Sequence, residues 1–216
     1  MEKLKILKGL SLFNNLKEEE LKNLIKNYTC EKKYSQKSII FNEGDEINDI
    51  GIVLEGSIQL INEDAFGNLT ILHQFTGPAL FGEAFVCGGV EKIPQKVMAI
   101  SPCKILFFSY YQLKKASPSY LNIINENLIS IISKKNIFLR EKLNLLNLPT
   151  SRDKLFYYLS QEKKKSPSSY FKIDFSITQL AQYLNLNRSS LSRELSKLKE
   201  EGYIDYYRNT FKINPR

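Results

Sequence analysis

No apolar run in this 216-residue chain reaches the length that a bilayer span requires. Met1 to Leu16 alternates lysine with apolar side chains, so no continuous signal core is expected and the reading is a cytoplasmic protein with no membrane partner. Cysteine is scarce. Cys30, Cys87 and Cys103 are an odd number without a CxxC spacing, which argues against a disulfide framework and against a zinc or iron–sulfur motif. His73 is the only histidine, and no cysteine has a base near it in sequence, so the material for nucleophilic catalysis is missing and an enzyme is not expected. Glu43, Asp45 and Glu46 crowd one turn, where a solvated acidic cluster is the ordinary arrangement.

Hydrophobic residues make up 43% and charged residues 25%, a balance that folds throughout. The length suits two small domains, each with its own core. The net charge of +8 is unevenly placed: residues 147–216 hold 13 Lys and Arg against 7 Asp and Glu, while residues 1–146 hold 18 against 16. A basic C-terminal part beside a nearly balanced remainder suggests that one end meets a polyanion. A solvated lysine surface would give the same count, so charge alone does not decide.

The hydrophobic period changes twice along the chain. Residues 11–27 read as a helix, with Leu16, Leu21, Leu24 and Ile25 at helical spacing. From Lys37 to Ser109 short apolar runs (38–41, 50–54, 58–61, 69–75, 97–100 and 104–108) are punctuated by Gly44, Gly56, Gly67 and Gly77, the pattern of an antiparallel roll or barrel. A long helix then opens at Pro118 and runs to about Leu146. On it Leu121, Ile124, Leu128, Ile131, Phe138 and Leu145 follow a three-four repeat, interrupted by Lys135 and Lys142 and widened by Ile132, Leu139 and Leu146. Such a face packs on the roll or pairs with its copy in a second chain, and the sustained repeat favours a homodimer interface. Asn147 to Thr150, with Pro149, is the expected hinge. The fold class is therefore α+β: an antiparallel roll over 1–116, a dimerising helix over 117–146 and a helical domain over 147–216.

Ser176 to Glu201 reads as two short helices joined at Asn185 to Asn187, with Leu180, Ala181, Leu184, Leu191, Leu195 and Leu198 available to lock them, which is the spacing of a helix-turn-helix. Apolar runs on either side of Arg208 to Thr210 predict a terminal hairpin, so the domain is a winged one. On the second helix the outward residues are short, polar and basic, as entry into the major groove of double-stranded DNA demands. Arg193 is the expected base reader, since a guanidinium can bond a guanine edge with two donors. Ser189, Ser190 and Ser192 are placed to reach bases or phosphates, and Arg188 and Lys197 to hold phosphates.

The run RSSLSRELSKL from Arg188, followed by EEGYI and a hairpin, resembles the recognition helix and wing of the cyclic-AMP receptor protein and FNR family of bacterial transcription regulators. FNEGD and GIVLEGSIQLI resemble the family's first roll strands, and Phe81 to Ala99 its ligand cassette. The resemblance implies an operator-binding dimer that contacts RNA polymerase. In the FNR branch the reading positions take a Glu-x-x-Ser-Arg form; Ser192 and Arg193 match, whereas Ser189 replaces the Glu. The same resemblance implies an effector pocket at Gly82, Glu83, Ala84, Ile93, Pro94 and Lys135. Its phosphate clamp, an Arg followed by Ser or Thr, is replaced by Ile93 and Pro94, so cyclic AMP is not expected. The effector stays unknown: haem held by His73 and Cys87 or Cys103, an unidentified small molecule, thiol redox at Cys30, or no ligand at all. A nucleotide-binding scaffold acting on a protein partner is the rival reading; an intact clamp and an acidic or apolar second helix would mark it, and neither is present.

Overall fold

The computed structural model describes residues 2–63 and 69–214. Met1 and the predicted turn glycine Gly67 lie outside the described residues. The chain divides into two compact units, residues 1–134 and 135–216.

The first unit opens with α1 (Glu2–Lys8), a 3-10 turn at Ser11–Phe13 and α2 (Glu18–Tyr28). The helix expected over 11–27 is thus broken: Asn15 takes φ 64°, a left-handed conformation that stops the first turn, and the Glu20 carboxylate accepts the Lys17 N–H at 2.8 Å to start the second. Two four-stranded antiparallel sheets follow. One has the order β1 (Thr29–Tyr34), β8 (Cys103–Phe108), β3 (Ile50–Glu55), β6 (Ala79–Phe81), and the other β2 (Ile39–Phe41), β7 (Lys96–Ala99), β4 (Ser57–Glu63), β5 (Leu69–Thr76). All six predicted runs are strands; β1 and β6 were not predicted. β1 reads TCEKKY and pairs only with β8, so as an edge strand it keeps charge where a central one would carry an apolar face.

Residue alternation explains why β3 and β8 are apolar on both faces over Ile50–Leu54 and Ile105–Phe108. Val53, Ile105 and Phe107 turn inward to meet Ile58, Val97 and Ala99 of the other sheet. Ile50, Ile52, Leu54, Leu106 and Phe108 turn outward against α2, α4 (Tyr110–Ala116) and the beginning of α5 (Leu121–Leu146). Gly56 links β3 to β4 at φ 83°, and a Cβ there would stand 2.2 Å from the Pro102 carbonyl oxygen, so no other residue fits.

The second unit contains the end of α5, then α6 (Ser151–Lys164), β9 (Tyr170–Lys172), α7 (Ile177–Tyr183), α8 (Arg188–Glu200), β10 (Ile204–Tyr207) and β11 (Thr210–Ile213). β9 joins the predicted hairpin as a third strand in the order β10-β11-β9. Leu145 lies in the core of this unit with Leu155, Leu159, Phe171 and Phe211. The compact units therefore part within α5, and Asn147–Thr150 lies inside the second.

Candidate nucleic-acid interface and sensor cassette

Each end of α7 and α8 is fixed locally. Ser176 caps α7 by accepting the Gln179 N–H (3.3 Å), while the Gln179 side chain accepts the Ser176 N–H (2.9 Å), the reciprocal bonding of a capping box. At the other end Asn185 takes φ 53° and turns the chain, and Asn187 opens α8. Gly202, at φ 77°, follows its last turn. The six predicted locking residues, Leu180, Ala181, Leu184, Leu191, Leu195 and Leu198, are all buried. Ala181 is the small one, which lets the two helices approach.

With the leucines turned in, the opposite face of α8 is left to solvent. Arg188, Ser189, Ser192, Arg193 and Lys197 are exposed and Ser190 is half-buried. Neither Arg188 nor Arg193 makes an ion pair among the described residues. Two nearby acids face Arg152 of α6, which pairs with Glu201 and lies 4.0 Å from Glu194, and its guanidinium sits 4.8 Å from the Tyr203 ring centre. Arg152 holds the Glu201 carboxyl below its usual range, first through their hydrogen bond. Lys199 pairs with Asp205 of β10 at 2.7 Å. Glu201 and Asp205 are thus paired with the domain's own cations, and the basic residues of the outward face keep their charge for a polyanion.

The wing adds residues that pattern reading did not single out. Arg208 takes φ 54° at the hairpin tip, 5.3 Å from the ring of Tyr207, which is 73% exposed. On the neighbouring strands Lys212 lies 5.6 Å from the ring of the exposed Tyr170. The sequence signal was an arginine and an asparagine between two β-branched or aromatic runs, which marks a turn but not its surface.

In the roll, Gly82 takes φ 79° and starts α3 (Glu83–Gly88); a Cβ on it would stand 2.9 Å from Ile47. Glu83 is buried and Ala84 is exposed. At the clamp positions the cassette departs from a phosphate site. The Ile93 side chain is 1% exposed, packed with Ile47, Phe81 and Val97, and its backbone is tied to the preceding loop: its N–H donates to the Asp45 carbonyl (2.9 Å) and its carbonyl accepts the Gly44 N–H (2.8 Å). Pro94 has no N–H to offer. A cyclic phosphate needs a cation or free donors at this place, and the residues present do not fit it. Lys135, the sixth expected pocket residue, is exposed on α5 in the second unit.

Haem also finds a poor fit, since His73 is exposed on β5 and packs edge-on against Phe75 (4.4 Å between centres) instead of offering an enclosed axial imidazole. Cys103 is buried in the roll, and burial pushes its thiol pKa up. Burial, then the Glu83 charge, does the same at Cys87. Both thiols are held in their less reactive neutral form. Cys30 is exposed on β1 and lines a hollow of about 410 Å³ with Asn48, Asp49 and Phe107.

The residues of the expected dimer seam differ in exposure. Ile124 and Leu128 are buried in the core of their own unit, and Leu121 and Ile131 are packed against that core, so these residues have little or no surface to give a partner. Phe138 remains 54% exposed. One step round the helix a different repeat is open: Ile129, Leu139 and Leu143 are exposed, Ile132 and Leu146 are half-buried, and Asn136 falls between them at heptad spacing. The two repeats are offset by one residue, so the sequence pattern carried both and burial separates them.

Residues 31–118 match the cyclic nucleotide-binding domain family, and residues 145–215 match the Crp-like helix-turn-helix domain family. A comparison with curated protein sequences finds no match. Among solved structures the chain is similar to the catabolite activator protein of Thermus thermophilus, at 22% identity over 95% of this chain and 94% of that one with a TM-score of 0.55. It is likewise similar to the c-di-GMP responsive global regulator CLP of Xanthomonas campestris (18%, 93% and 100%, 0.57) and to DNR of Pseudomonas aeruginosa (19%, 98% and 93%, 0.53). At these identities the structural likeness speaks for the fold: an antiparallel roll, a long helix and a C-terminal helix-turn-helix. With both domain families matched in this order, the chain belongs to the cyclic-AMP receptor protein and FNR family of transcription regulators, whose helix-turn-helix binds DNA.

Proposed function

We propose that the chain acts in the cytoplasm as a homodimeric, sequence-specific regulator that sets two copies of α8 into successive major grooves of an inverted-repeat operator. The observation that carries this reading is the outward face of α8, where Arg193 and Arg188 are exposed while the neighbouring acids are engaged by Arg152. Arg193 reads guanine, Ser189, Ser190 and Ser192 reach bases or phosphates, and Arg188 and Lys197 fix the register on phosphates. Arg208 at the wing tip adds a phosphate contact beside them. Two chains pair through the open repeat of α5, Ile129, Ile132, Leu139 and Leu143, with Asn136 facing its copy and pinning the register. The division of labour is a roll over 1–116, a pairing helix over 117–146 and a reading head over 147–216, and RNA polymerase is the partner on the promoter.

The roll senses something other than a cyclic nucleotide, because Ile93 fills the clamp position with a buried side chain and tied backbone groups. Gly82, Glu83 and Ala84 remain its candidate contacts. Gel-shift titrations across a salt series test the DNA reading. Association should weaken steeply, by about 10³-fold or more between roughly 50 and 200 mM salt if six or more phosphates are held. An affinity that ignores salt would sink the assignment. Adding cyclic AMP should leave the thermal midpoint unchanged, and an upward shift would overturn the account of the cassette.

A further inference from the structure

We infer that Lys142 is a positioning residue for the reading head: from the last turns of α5 it holds the C-terminal end of α7, and so fixes the turn that aims α8. The inference rests on the reading of α8 as the DNA-reading helix. Its basis is a contact that spacing does not predict, since along the sequence Lys142 only interrupts an apolar repeat.

The Lys142 ammonium lies 3.2 Å from the centre of the Tyr183 ring and donates a hydrogen bond to the Tyr183 carbonyl. Tyr183 is the last residue of α7, so its carbonyl belongs to the helix end where acceptors lack partners within the helix and where the dipole favours a cation. The neighbouring carbonyls are already used by the turn. Asn185 N–H goes to Gln182 (3.1 Å) and Leu186 N–H to Ala181 (2.9 Å). Lys142 supplies a donor to the acceptor beside them, two residues before Asn185 swings through its left-handed conformation. The ring it covers is itself fixed, 5.0 Å from Phe175 and 5.5 Å from Tyr158 between centres. Partial burial lowers the Lys142 pKa, so the ammonium has given up water for these partners.

The position of the lysine gives the contact its meaning. α5 supplies Ile124 and Leu128 to the core of the first unit and Leu145 to that of the second. A displacement of α5 therefore carries Lys142 with it, and the helix end that Lys142 holds, Tyr183, is four residues before Asn187, the residue that caps α8. An ammonium on an aromatic face is a contact that is kept or lost within a small movement, which suits a two-state coupling.

Two variants of the full chain test this, Lys142→Met, which keeps the stem and removes the charge, and Lys142→Arg, which keeps the charge. In Lys142→Met, amide hydrogen exchange at Leu184, Asn185 and Leu186 should quicken by about tenfold while the amides of β10 and β11 stay as they were, and Lys142→Arg should restore the turn. Exchange that is unchanged, or faster by one factor across the whole second unit, overturns the inference. On a duplex selected from a random pool by the unmodified protein, Lys142→Met should lose about fivefold or more in affinity with binding to a scrambled duplex preserved. Equal affinity of both proteins for the selected duplex also overturns it. Should the unmodified protein select no duplex, the DNA reading falls, and the exchange result still decides whether Lys142 holds the turn.

Discussion

Arg193 is the residue on which sequence recognition turns, because its guanidinium projects from the exposed face of α8 without an ion-pair partner among the described residues. Arg193→Ala should weaken binding to a selected operator by about 10- to 100-fold, the worth of one bidentate guanine contact, while binding to scrambled DNA changes much less. Equal losses on both duplexes in a competition titration would make it a phosphate contact. A second residue-scale expectation concerns Glu18, which accepts from Lys22 (2.7 Å) and Lys8 (2.6 Å). The Lys22 bond, then that of Lys8, lowers its pKa from 4.5 to about 2. A carboxyl depressed on folding stabilises the folded chain above its unfolded value, and that contribution is lost as pH falls from about 4.5 through about 2. The side-chain carboxyl carbon of Glu18 followed by NMR should titrate near the lower value, and Lys22→Ala should bring its midpoint back up.

At the scale of elements, the helix-turn-helix was legible because its signals are local. Leucines at helical spacing and a small residue at the crossing each act within a few positions. Ser176→Ala removes the cap and should cost about 1 kcal/mol of stability in urea unfolding. Leu195→Ala opens the fully enclosed helix contact and should cost about 2–5 kcal/mol. Other elements were hidden for equally physical reasons. β1 carries Glu31, Lys32 and Lys33 because only one of its edges is paired, and its polar sequence gives no alternation to detect. β9 is three residues long and exists as a strand only because β11 lies beside it. The break at Asn15 depends on a backbone conformation that asparagine tolerates but does not announce.

For the whole molecule the open repeat on α5 matters most. Ile129, Leu139 and Leu143 are each 58–65% exposed, a row of large apolar side chains that water does not favour. Leu139→Asp should convert a dimer into a monomer in sedimentation or native mass spectrometry, and operator affinity should fall with it because a monomer grips one half-site. Were Leu139→Asp to remain dimeric, pairing would have to use another surface. No helix among the described residues is long and apolar enough to cross a membrane, so this row is not a span.

What the sequence determined by itself was set by short-range chemistry: strand and helix periods, turn glycines and the basic face of α8. These follow from residue type and spacing, which a chain carries whether or not it is folded. The tertiary structure alone decided which of two interleaved repeats on α5 is buried, which carboxylates Arg152 draws away from the reading face, and that Lys142 rests on Tyr183. Each of those depends on residues far apart in sequence competing for one place, and only burial and distance can say which of them occupies it.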